Sequence, residues 1–133
     1  MNETWDLDAL KAGAIVTVTF AAPFLVAARV IAVHDEHNPW IVPLVLIAVV
    51  GFVLGAGVAA WRQQRQAPLS HGIVTSAGTF VVVQAVFVVI NLIRGADVRW
   101  FGIFFTLTVT IFAGVIGGLL GIALQKRGLE PKR

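Results

Sequence analysis

The sequence predicts an all-α integral membrane protein, a bundle of four transmembrane helices, and three observations carry that prediction. The chain has 133 residues, 58% of them hydrophobic and only 13% charged, with a mean hydropathy of +0.88. A soluble domain of this size needs more charge to cover its surface. The charges are also widely spaced. Uncharged runs of 17, 25, 28 and 26 residues lie between Lys11 and Arg29, Glu36 and Arg62, Arg65 and Arg94, and Arg99 and Lys126. A helix needs roughly 20 apolar residues to cross a bilayer. Tryptophans at 5, 40, 61 and 100 mark the edges of these runs, as expected of aromatic anchors at a membrane interface. Little chain remains for a separate soluble domain, so a single domain over residues 1–133 is expected.

The first span is expected over about residues 10–33. The stretch before it, MNETWDLDAL, is acidic, unlike the basic start of a secretory signal peptide, so a retained span is expected. Trp5 and Leu7 suggest an interfacial lead-in, with Asn2 or Thr4 as the helix cap. Pro23 removes one backbone hydrogen bond near mid-span; the resulting kink serves either packing, the favoured reading, or a hinge. Arg29 lies in the last turns, where its stem can carry the charge to the interface and a loop carboxylate can neutralise it.

His34 to Trp40 (HDEHNPW) forms the first loop. Its two histidines flank two carboxylates but lack the ligand geometry of a metal motif, so a solvated acidic turn is expected and no metal site is assigned. The second span covers about residues 41–61. Gly51 and Gly55 form a small-xxx-small pair, which favours close helix contact in an apolar segment.

A basic loop, RQQRQAPLS from Arg62 to Ser70, leads to the third span over about residues 71–93, with Ser70 as the expected cap. Ser70 and His71 are adjacent, yet a nucleophile also needs an orienting third group and no acid is nearby in sequence. No catalytic residue is assigned. Gln84 and Asn91 are one heptad apart and share a face. Amides facing lipid are costly, so both should point into the bundle or a subunit contact. They serve either interhelical hydrogen bonding, the favoured reading, or the lining of a polar pathway. Thr106, Thr108 and Thr110 of the next span are the expected partners.

After the turn RGADVR, the fourth span covers about residues 100–124. Gly102, Thr106, Thr110, Ala113, Gly117 and Gly121 fall on one face, and a glycine stripe is stable where a neighbouring backbone presses on it. Gly51, Gly55, Gly102, Gly117 and Gly121 are therefore the expected packing positions, and span 4 is expected to be the helix against which the other three pack.

Charge sets the expected topology. Lys11, Arg62, Arg65, Lys126, Arg127, Lys132 and Arg133 share one side and Arg29, Arg94 and Arg99 the other, which places both termini in the cytoplasm by the positive-inside rule. Arg62, Arg65, Lys126 and Arg127 either hold anionic lipid headgroups or only set the topology. The net charge of +3 resides in these flanks, so nucleic-acid binding is not expected. Seven of the ten basic residues are arginine, a usage that fits a bacterium with a GC-rich genome and hence its multi-pass cell membrane. Trp40 and Trp100 lie 60 residues apart, each opening a Gly-rich helix with a basic exit, a pattern that a duplicated hairpin or the shared demands of two hairpins would equally produce.

No Asp, Glu, Lys or His lies deep in a span, where ion-coupled transporters place an ionisable group. A small four-helix multidrug exporter carries a membrane carboxylate in its first helix, and none is present in span 1. Paired histidines for haem and cysteines are also lacking, so no cofactor is assigned. A fluoride-channel-like protein has similar size and span count, but its polar Thr/Ser-rich broken third helix is not evident.

LSHG at Leu69–Gly72, the turn at Arg94 and Gly95, and AGVIGGLLG at Ala113–Gly121 resemble the small four-span bacterial inner-membrane proteins of unknown function. The likeness covers about half the chain and implies a helical membrane fold without an assigned activity. The first functional expectation is therefore a non-enzymatic protein acting by helix association with a membrane-protein partner or itself. The second is a small oligomeric channel or transporter for a neutral or anionic solute, lined by Gln84, Asn91 and the span 4 threonines.

Overall fold

The computed structural model describes residues 5–129 and consists there of four helices: α1 (Leu7–His34), α2 (Ile41–Arg62), α3 (Pro68–Ile93) and α4 (Trp100–Lys126). Each is long and apolar enough to cross a membrane. Most of their large apolar side chains face outward, Phe101, Phe104, Phe105 and Phe112 of α4 among them. Water would not tolerate so much apolar surface, whereas lipid covers it. The class of the molecule is thus a helical membrane protein.

The helix starts differ from expectation for local reasons. Asn2 and Thr4 lie outside the described residues. The cap of α1 is Asp6, whose Oδ1 accepts the Ala9 N–H at 3.1 Å, so the helix begins before residue 10. Ser70 does not cap α3. Pro68 occupies the first turn, where its missing N–H costs nothing, and Ser70 lies exposed inside the helix. The α3–α4 turn runs through Gly95 at φ +69°, a conformation that glycine adopts without steric penalty.

The bundle is up-and-down, with both described chain ends at one end (the terminal end) and the α1–α2 and α3–α4 turns at the other (the hairpin end). α2 and α3 each touch all three other helices, α2 the more extensively, while α1 and α4 do not touch each other among the described residues. The expected organising role of α4 is therefore corrected. It passes to α2 because small residues clothe that helix on two sides. Gly51 and Gly55 meet α1, and Ala56, Gly57 and Ala60 meet α4.

Close packing is concentrated in the terminal half. A Cβ on Gly13 would lie 2.5 Å from the Gly55 carbonyl oxygen, one on Gly72 2.9 Å from that of Gly114, and one on Gly121 2.8 Å from the Trp61 nitrogen. These are backbone-to-backbone approaches that only glycine permits. Towards the hairpin end, large residues replace small ones along α3 and α4, and the helices separate around a cavity.

Candidate functional site

That cavity is an open vestibule of about 500 Å³ in the hairpin half, mostly apolar but with several polar and charged residues in its wall, which is built from all four helices and both turns. Its floor is formed by Phe52 and Phe80, whose buried rings meet edge-on at 6.4 Å. The intramembrane polar residues singled out in the sequence converge on it: Gln84, Asn91 and Thr106 all line it. Gln84 lies nine residues before the end of α3, so it sits ~14 Å below that end at 1.5 Å per residue. Thr110 lies deeper. It is buried rather than vestibular, and its carbonyl accepts the Ser76 hydroxyl at 2.5 Å.

The expected pairing of these amides with threonines does not occur. Thr106, Thr108 and Thr110 each donate to the carbonyl four residues earlier in α4, at 2.8, 3.0 and 2.8 Å. A hydroxyl satisfied by its own helix has little reason to reach across a widening gap. Asn91 instead accepts a hydrogen bond from Arg29 Nη2 at 3.2 Å, and the Gln84 side-chain amide makes no hydrogen bond to any described residue.

Arg29 is the vestibule residue that the sequence reading placed elsewhere. The loop carboxylates Glu36 and Asp97 line the same vestibule without pairing with Arg29. The guanidinium packs 5.0 Å above the Phe87 ring and makes no ion pair with a described residue. Glu36 faces Arg99 instead, at 3.9 Å across the two turns. A cation on a membrane helix, balanced by a neutral amide and an aromatic face, is available to an anion. Arg29 lies about 100° around α1 from the buried Ala28, so helical periodicity alone did not place it here.

The predicted packing glycines divide. Gly51 meets Phe20 and Ala21, and Gly55 meets Thr17 and the Gly13 carbonyl. Gly117 faces Ala56 and the Gly57 nitrogen, and Gly121 faces Ala60 and Trp61. All four are used within the monomer. Gly102 is the exception: it lines the vestibule, and an added Cβ there would find only Arg99 Cβ, at 4.0 Å. Gly13, Gly72, Gly114 and Gly118 also pack closely against neighbouring helices; they lie outside the five predicted positions, although the last three fall in the LSHG and AGVIGGLLG segments.

The terminal end carries a polar network. His71 is fully buried. Its Nε2 accepts the Asp6 N–H at 2.9 Å and its Nδ1–H donates to the Ala67 carbonyl at 2.7 Å, which defines a neutral ring with the proton on Nδ1. With both nitrogens engaged, His71 is no base for the exposed Ser70. Trp5 packs on the ring at 5.2 Å. Gln125 Nε2 donates to the carbonyls of Ala60, Trp61 and Gln63, at 3.3, 3.0 and 3.2 Å, satisfying the end of α2. The four expected lipid-facing cations share this end. Arg62 is half-buried and lines a groove with Asp8 and Lys11, while Arg65, Lys126 and Arg127 are exposed.

Fold and site together define a four-helix membrane protein with a one-sided vestibule that carries several polar residues. None of the family models, curated proteins or solved structures compared with this chain matches it.

Proposed function

We propose that the protein is a small, non-enzymatic channel or transporter for a neutral or anionic solute, acting as an oligomer in a bacterial cell membrane with both termini cytoplasmic. The observation that carries this reading is the convergence of Arg29, Gln84, Asn91 and Thr106 on one vestibule of about 500 Å³. Polar groups at membrane depth are costly unless they face water, one another or a ligand. Gln84 has no partner among the described residues, so an amide aimed into the vestibule is free for a solute. Arg62, Arg65, Lys126 and Arg127 anchor the opposite end to anionic headgroups.

The test is uptake or efflux of small anions and polyols by proteoliposomes. Gln84→Leu should abolish a flux that the unaltered protein supports; equal flux in both would remove Gln84 from the path. A second reading, an accessory or assembly subunit or a homo-oligomer acting by association, has its own support. The vestibule ends on Phe52 and Phe80 above a half where the backbones touch. In that reading the partner contact lies on the outward faces, because the glycine faces are occupied. Purification from the native membrane in mild detergent identifies an accessory subunit by a stoichiometric foreign partner; a homo-oligomer fits both readings, and the Gln84→Leu flux assay then separates them.

A further inference from the structure

We infer that the vestibule takes an anionic amphiphile, with a phosphate-type headgroup at Arg29 and an acyl chain leaving sideways between α1 and α3. This inference rests on the vestibule being a ligand site. It adds the chemical class of the ligand and the route of entry.

The vestibule has a side branch. An apolar crevice of about 80 Å³ lies between α1 and α3 and shares Leu25, Phe52, Val83 and Phe87 with the vestibule wall. The crevice continues from these shared residues past Ala22 and Val26, and Val26 is half exposed on the outer surface. In a membrane that surface faces lipid. The stretch of α1 along the crevice contains Pro23, which has no N–H to donate to the helix ladder.

A purely polar solute would gain nothing from this branch. A molecule with a charged head and an aliphatic tail uses both chambers, and the apolar crevice favours its tail by the ordinary transfer free energy of methylenes. The head position is set by charge. Arg29 follows Leu25 by one helical turn and covers Phe87, so the guanidinium sits where vestibule and crevice join. Its hydrogen-bond partner Asn91 is neutral, whereas Arg99 already faces Glu36; the second vestibule carboxylate, Asp97, forms no ion pair with Arg29. A planar guanidinium without a carboxylate matches two phosphate oxygens at once. Lying five residues before the end of α1, Arg29 is ~8 Å below that end, close to headgroup depth.

The experiment is a binding titration of the full-length protein in mild detergent, read by native mass spectrometry. The probes are palmitoyl-lysophosphatidylglycerol, palmitoyl-lysophosphatidylcholine and glycerol phosphate. One lysophosphatidylglycerol should bind per chain, roughly tenfold or more tighter than the zwitterionic lipid, the scale of one charge-assisted contact. Ala22→Phe, which fills the crevice, and Arg29→Gln should each lower that affinity by about tenfold or more. Should Arg29→Gln not fold, Ala22→Phe decides alone.

Equal affinity for the two lysolipids, or no effect of Ala22→Phe, overturns the inference. Glycerol phosphate binding as tightly as the lysolipid also overturns it, while leaving the vestibule as a site for a soluble anion. Absence of binding by all three probes overturns it as well. The vestibule reading itself fails only if flux is also indifferent to Gln84→Leu.

Discussion

Asp6 serves three segments of the chain at once. Its N–H donates to His71 of α3, its Oδ1 accepts from Ala9 of α1, and its Oδ2 accepts the Gln64 N–H of the α2–α3 loop at 3.1 Å. Its own exposure is only 9%, so these bonds have little competition from water and are expensive to leave unmade. Asp6→Ala should lower stability by ~1–3 kcal/mol through loss of the cap and of the Gln64 acceptor. Asp6→Asn keeps Oδ1 and should lose less. His71→Leu should cost a similar ~1–3 kcal/mol, because the Asp6 N–H is then buried without an acceptor. Thermal unfolding of the purified variants reads all three; near-wild-type midpoints for Asp6→Ala and His71→Leu would show that the network does not hold the terminal end. Asp6 was legible in part, since an Asp directly before an apolar periodic run is a cap signature. Its pairing with a histidine 65 residues away was not.

Among the helices, identical residue types have opposite meanings. Gly117 has Ala56 Cβ at 2.6 Å and the Gly57 nitrogen at 2.8 Å from where its own Cβ would stand, whereas Gly78 has nothing within 4 Å. Gly117→Ala must push α4 from α2 and should cost ~1–3 kcal/mol, the range for overpacking. Gly78→Ala should stabilise α3 by about 0.5–1 kcal/mol, because alanine is the better helix former. Gly102→Ala should resemble Gly78→Ala, although Gly102 shares the stripe of Gly117 in sequence. Unfolding in a graded denaturing detergent distinguishes them, and equal losses at Gly117 and Gly102 would contradict the assigned packing. Helical periodicity made the stripe visible. It did not show that the helix on the other side departs before Gly102.

The whole molecule is asymmetric along its axis, tied by hydrogen bonds and glycine contacts at the terminal end and open at the hairpin end. The native chain has no cysteine, so single cysteines report this directly. A membrane-impermeant maleimide added to intact cells should label Ala32→Cys and Val88→Cys, which line the vestibule. It should not label Ala59→Cys, which is buried between helices, and should reach Gln64→Cys only after permeabilisation. Labelling of Gln64→Cys in intact cells would reverse the proposed topology. The number of helices and their approximate places in the chain were already contained in the sequence, because the free energy of placing charge in lipid leaves only four apolar runs able to span it. The identity of the polar intramembrane residues was contained there too. Their partners were decided by tertiary structure alone. Whether Asn91 meets a threonine or Arg29, whether Gly102 meets a helix or empty space, and which helix lies at the centre all depend on how far neighbouring axes diverge. That divergence comes from the summed size of side chains on facing helices, a quantity that no single stretch of chain contains.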